Sequence, residues 1–288
     1  MNDGAAWERL REHPRIMGIV NINDDSFSGD GSLDIGNAKE KAVRLAREGA
    51  DFIDVGAESA RTNRAPVSPG EEIDRLLPFL DGYRALFAKE SPQHERQFWP
   101  PLLSVNTWRP EVIRAVLATG EVDLVNDMSG LEREENARLC VEVCAALLIM
   151  HTKAPPKVAR TGERYDDVWA DLERFFDERL ARANAAGLPK DRIVLDPGID
   201  FAKQREDNLS IYRELERLVG KGVPVLLPVS RKTVIGEVLG LDNPSDRDAG
   251  TIACMVRGVM AGAAIFRVHE VRAAAHAMGI LEAVRAAA

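Results

Sequence analysis

A chain of 288 residues, 45% hydrophobic and 29% charged, has the length of two small domains or of one α/β barrel, which takes about 250 residues. Its formal net charge of −8 argues against a nucleic-acid partner gripped through its phosphates. The sequence has no apolar run of the roughly 18 residues that a membrane span needs, and MNDGAAWERLREHP at the N-terminus lacks the apolar core of a secretory signal.

In chain order, a charged segment over 1–14 precedes the first apolar run and is expected to be an extension to a single domain over 15–288. RIMGIV (15–20) has the look of a strand buried on both faces. AKEKAVRLAREGA (38–50) follows as an amphipathic helix that stops at Gly49. The same alternation continues through the strands DFIDVG (51–56), PLLSVN (101–106), VDLVND (122–127) and AALLIM (145–150), with helices expected over 71–90, 109–120 and 135–146. A helix over 166–187 leads to RIVLDP (192–197) and VPVLLPV (223–229). A helix over 246–263 leads to AAIFRV (263–268), and a last helix covers 271–286. Eight strands alternating with helices predict a single-domain α/β fold, a (β/α)8 TIM barrel. An open doubly wound sheet would want a GxGxxG turn after the first strand, and none is there. Cys140 and Cys144, four apart, are expected on one helical face as buried small hydrophobes rather than as a metal pair. With Cys254 they make three cysteines without CxxC spacing, which fits a reducing, cytoplasmic setting.

Residues able to do chemistry follow nearly every strand. They are Asn21 with Asp24, Asp25 and Ser26, then Glu58, Ser59 and Arg61, Asn106, Asn126 with Asp127, His151 and Lys153, Asp196, Ser230 with Arg231 and Lys232, and Arg267 with His269. Singly each has an ordinary explanation: Asp196-Pro197-Gly198 is turn chemistry, Asn126 could cap a helix, and His269 could be a structural histidine. Jointly they converge on one barrel mouth. Asn126, Asp196 and Lys232 suit the edge of a flat heterocycle, with Asp196 taking two parallel N–H bonds. Asn21, Arg267 and His269 suit a phosphate or diphosphate.

At these residues the chain resembles dihydropteroate synthase, over about 15 to 280. The matching stretches are MGIVNINDDSFSGDG, DVGAESAR, SVNT, VNDMSG, MHTK, LDPGIDF, VSRKTVIG and FRVHEV. The resemblance implies a homodimeric TIM barrel that joins 6-hydroxymethyl-dihydropterin diphosphate to 4-aminobenzoate and releases diphosphate, with Mg²⁺, in folate biosynthesis. It implies that Asn106, Asn126, Asp196 and Lys232 hold the pterin. Asn21, Arg267 and His269 would hold the diphosphate, with Asn21 also at the Mg²⁺. Phe27, Ser28, Arg61 and Ser230 would shape the aminobenzoate site. Asn106, Lys232 and Asp30 would form the catalytic set, Asp30 as the carboxylate of the first loop. The late helices over 244–262 and 271–286 are apolar enough to supply a dimer interface.

The chain departs from the family pattern at several places. Asn106 stands where the family usually has Asp, keeping the shape and an acceptor oxygen but losing the charge. Asn23-Asp24 replaces Thr-Pro, Ala60 replaces Thr, Asp200 and Ala202 replace two glycines, Pro228 replaces Gly, and Gly29-Asp30 reverses the common order. Two alternatives share the fold. One is a pterin-binding homologue that is catalytically impaired or repurposed; the other is a pterin- or folate-dependent methyltransferase, against which the retained Arg267-Val268-His269 counts.

Overall fold

The computed structural model of the chain describes residue 7 and residues 9–23, 31–58, 65–153, 155–158 and 164–287. The eight apolar runs are parallel strands: β1 (Arg15–Asn21), β2 (Phe52–Gly56), β3 (Leu102–Asn106), β4 (Leu124–Asp127), β5 (Ala146–Met150), β6 (Ile193–Asp196), β7 (Leu226–Pro228) and β8 (Ile265–Val268). They pair in the order β6-β5-β4-β3-β2-β1-β8-β7, and a parallel bridge between Leu195 and Val225 draws the two ends together. The result is the expected (β/α)8 barrel.

Helices α1 (Ile35–Arg47), α2 (Pro69–Leu80), α3 (Pro110–Leu117), α4 (Glu134–Glu142), α5 (Val168–Ala185), α6 (Arg205–Arg213), α7 (Glu216–Val219), α8 (Thr233–Leu239), α9 (Asp248–Ala261) and α10 (Val271–Ala286) cover the outside. Side-chain caps open several of them. Asp34 accepts from the Asn37 amide, Ser68 from Glu71, and Asp167 from Trp169 and Ala170. Gly49 has φ +107°, as a helix stop requires.

Two expectations change. The helix expected over 71–90 ends at Leu80, because Gly82 turns the chain at φ +66°, and a short 3-10 turn follows at Arg84–Phe87. The helix expected over 135–146 ends at Glu142, because the chain must swing into β5 and Cys144 takes φ +58° to do so. Cys140 is therefore buried while Cys144 is exposed, and the two do not share a helical face.

Strand alternation divides the core. Met17, Phe52, Leu124, Leu148, Val194, Leu226 and Ile265 belong to one apolar cluster, and a much larger cluster lies between sheet and helices. Trp7, Leu10 and Phe98 join the first cluster, with the Trp7 and Phe52 ring centroids 6.1 Å apart. Arg15 packs over the Phe98 ring and reaches Asp51 at 3.3 Å. One step further along the same strand faces, the side chains become polar: Asp54 after Phe52, Ser104 after Leu102, Asn126 after Leu124, Asp196 after Val194 and Arg267 after Ile265. The apolar layer thus forms the floor of a polar one.

Candidate active site at the barrel mouth

The polar layer is organised around Asp54, a residue that sequence reasoning missed. It is fully buried on β2. Its carboxylate accepts the Ser104 hydroxyl at 2.6 Å, the Asn126 Nδ2 at 3.3 Å to each oxygen, and the Arg267 Nε at 2.7 Å. A buried carboxylate demands such partners. The sequence carried a signal: Asp54 sits in step with Phe52 in an otherwise apolar strand, so it had to face inward. With Nδ2 turned to Asp54, Asn126 keeps its Oδ1 as the acceptor for a ligand.

Asp196 ends β6. One carboxyl oxygen accepts the Gly198 amide at 2.7 Å, and the other takes no hydrogen bond among the described residues. Burial pushes this carboxyl up to about 6, against the pull of the Gly198 amide, Lys232, Lys203 and Arg267. Three cations therefore converge on one half-satisfied acid. Gly198 itself has φ +65°, and a side chain there would meet the His151 carbonyl oxygen at 2.1 Å. Lys232, after β7, donates to the Ile199 carbonyl at 2.9 Å and lies 5.1 Å from the Phe201 ring centroid. Burial holds its ammonium below the usual lysine range, while Asp200 and Asp196 oppose that shift.

Asn106 ends β3 in register with both Gly56 and Asn126, and it is half-buried. Asn21 ends β1, also half-buried, in register with Gly56. Asn21 and Asn106 thus flank the end of β2, and Asn126 lies beside Asn106 on the next strand. Ser230 and His269, expected in different subsites, are joined directly: the Ser230 hydroxyl lies 2.7 Å from His269 Nδ1 and accepts the His269 amide at 3.1 Å. Phe27, Ser28, Asp30 and Arg61 lie outside the described residues.

Other strand-end residues serve the scaffold. His151 is buried against Phe175, with Nε2 3.0 Å from Asp171 and Nδ1 2.9 Å from Lys203 Nζ. Burial and the Lys203 charge lower it to about 4. Lys203 also donates to the Gly198 and Phe201 carbonyls, so two of its bonds hold the loop that follows Asp196 and the third ties that loop to His151. Burial lowers Lys203 to about 7. Lys153 lies over the Tyr165 ring at 3.6 Å. Arg231 is paired with Asp248 and Glu270. Arg247, also missed, is buried and donates to the Arg231, Lys232, Leu241 and Asp242 carbonyls, stitching the loop after β7. Glu58 and Glu72 both pair with Arg109 beside the second loop.

Among the described residues, no group of three or more His, Cys, Asp or Glu could hold a metal ion. The amide oxygen of Asn21 is a hard donor that fits Mg²⁺, an ion that keeps several waters and takes phosphate oxygens from a substrate.

Comparison with known proteins follows the same lines. The family described as pterin binding enzyme matches residues 17–269. Dihydropteroate synthase of Escherichia coli strain K12 is 36% identical over 276 residues, covering 96% of this chain and 93% of that protein. A Xanthomonas albilineans dihydropteroate synthase solved with 4-aminobenzoic acid superposes with a TM-score of 0.82 at 35% identity, covering 96% of this chain and 94% of that one. The Yersinia pestis enzyme, solved with a sulfonamide drug complex, gives 0.85 at 33% identity and covers 96% of both chains. With Asn126, Asp196 and Lys232 gathered at one mouth, this chain belongs to the pterin-binding enzymes, in the dihydropteroate synthase family.

Proposed function

We propose that the chain condenses 6-hydroxymethyl-7,8-dihydropterin diphosphate with 4-aminobenzoate, with Asp196, Asn126, Lys232 and Asn106 around the pterin. The observation that carries this reading is the half-satisfied Asp196 carboxyl, buried among Lys232, Lys203 and Arg267. Its second oxygen can take an N–H from an amino-pyrimidinone, while Lys232 faces a ring acceptor. Among the described residues Arg267 is anchored to Asp54 by Nε alone, so its terminal guanidinium nitrogens can receive a diphosphate. His269 and Asn21 complete that anion site in the proposal, and Mg²⁺ at Asn21 would neutralise the leaving diphosphate. Ser230, with Phe27, Ser28 and Arg61 from the loops, belongs to the aminobenzoate side. Asp30 is the proposed loop carboxylate. A cationic pterin methylene, caught by the arylamine, needs exclusion of water, which the apolar floor beneath the polar layer assists.

We further propose a homodimer through α9 and α10, which leave Met260, Ile280 and Val284 exposed. A cytoplasmic setting is proposed from the three free cysteines. The domain is proposed to span 15–288 behind an extension over 1–14. No helix among the described residues is long and apolar enough to cross a membrane.

The test is formation of dihydropteroate by the purified protein. The proposal predicts product only when the pterin diphosphate and 4-aminobenzoate are both present. The presence of Asn106 favours a second reading, a pterin binder with little turnover. That reading predicts calorimetric binding of the pterin diphosphate with no product.

A further inference from the structure

Asp200 stands in the loop after β6 with φ +69°, a conformation that suits glycine, and Ala202 two residues on has φ +51°. The neighbouring contacts show what holds Asp200 there. Its carboxylate accepts the Thr233 amide at 2.5 Å and the Val234 amide at 3.3 Å, the first two residues of α8. Its own amide donates to Asn208 Oδ1 at 2.9 Å, and Asn208 Nδ2 returns a bond to the carboxylate at 3.3 Å. The residue at the start of α8, Lys232, provides no side-chain cap. Asp200 supplies that cap from another loop. The Lys232 ammonium, in turn, donates to the carbonyl of Ile199, the residue before Asp200. The two loops therefore hold one another at two points, and Lys232 is thereby tied to the loop that follows Asp196.

We infer that Asp200 is a positioning residue: by capping α8 from the neighbouring loop it fixes Lys232 relative to Asp196 and so sets the affinity for the pterin ring. The inference rests on the reading that Lys232 and Asp196 hold the pterin. The carboxylate also favours the charged form of Lys232, which burial opposes. A chain with glycine here would have a relaxed backbone and no cap, so strain is retained in exchange for a fixed loop.

The experiment compares the natural protein with Asp200→Gly and Asp200→Asn. KM for each substrate, calorimetric binding of the pterin diphosphate, melting temperature and amide exchange at Thr233 and Val234 are measured. Asp200→Gly should raise KM and Kd for the pterin diphosphate about tenfold or more, with KM for 4-aminobenzoate within about twofold. Its melting temperature should change little, since strain and cap are lost together. Asp200→Asn, which keeps an acceptor oxygen, should recover most of the affinity. A lowered melting temperature with unchanged pterin KM and Kd would make Asp200 merely structural and overturn the inference. Absence of pterin binding by the natural protein would instead refute the assignment of the pterin site. The clamp would then be judged on amide exchange, and unchanged protection of Thr233 and Val234 in Asp200→Gly would overturn it.

Discussion

The Arg267 Nε lies 2.7 Å from Asp54 Oδ2, joining β8 to β2 across the floor of the mouth. Asp54 is fully buried and Arg267 only partly so, and the same carboxylate also orients Asn126 and Ser104. One buried acid thus aims a cation at the proposed anion site and an amide at the proposed ring site.

Replacing Asp54 with Ala should therefore act on both stability and function. It leaves the Asn126 and Ser104 donors unsatisfied and frees the guanidinium to wander, which should cost on the order of 3 kcal/mol. Urea unfolding would show this as a lowered midpoint, accompanied by a raised KM for the pterin diphosphate. Asp54→Asn, which keeps the acceptor on one side, should lose less.

Pterin affinity should depend on pH through Asp196. Burial raises this carboxyl to about 6, so it is mostly ionised at pH 7 and mostly protonated at pH 5. Only the ionised form accepts two N–H bonds, and affinity should fall about tenfold across that interval. The effect on stability has the opposite sense. Because the folded-state value is raised, the contribution of Asp196 to stability is present below the usual carboxylate value and is lost as pH rises through about 6. Calorimetry of pterin binding at pH 5, 6 and 7 checks the first statement. Asp196→Asn should bind weakly, by about a hundredfold, with no slope in this range.

His151 should stay neutral well below the usual histidine range. Burial and Lys203 lower it to about 4, while Asp171 pulls the other way. The unfolded chain takes up a proton near 6.5 and the folded one does not, so this residue's contribution to stability is lost as pH falls from about 6.5 toward 4. An imidazole resonance assigned to His151 should not titrate between pH 5.5 and 8 in the folded protein, the range in which an exposed histidine changes charge. Titration near 6.5 would contradict the buried Asp171–His151–Lys203 chain.

The barrel was legible because buried parallel strands are written as short apolar runs, and because each ended in a polar residue at the same end. Helices α6, α7 and α8 were not singled out in the sequence. Each is only four to nine residues long, and α6, REDNLSIYR, is mostly polar and buries just Asn208, Ile211 and Tyr212, too few for a wide apolar face. Asn126, Asp196, Lys232 and Arg267 were legible as strand-end chemistry. Asp54 and Lys203 were not, because each acts through a partner distant in sequence: Arg267 is 213 residues from Asp54, and His151 is 52 from Lys203. Arg247 was not, because it binds backbone carbonyls, which leave no side-chain pattern to read. Asp200 was visible as a departure from glycine, but its bonds to Thr233 and Val234 exist only once the loops meet.

The central claim is that this mouth performs the condensation with an amide at Asn106. It is tested by diphosphate release from the purified protein given the pterin diphosphate, 4-aminobenzoate and Mg²⁺, beside Asn106→Asp. The account predicts turnover by the natural protein that requires both substrates, with the variant faster by about 10²-fold because a carboxylate adds charge beside the forming cation. Binding of the pterin diphosphate by the natural protein with no diphosphate released, in the presence of the arylamine, would contradict it.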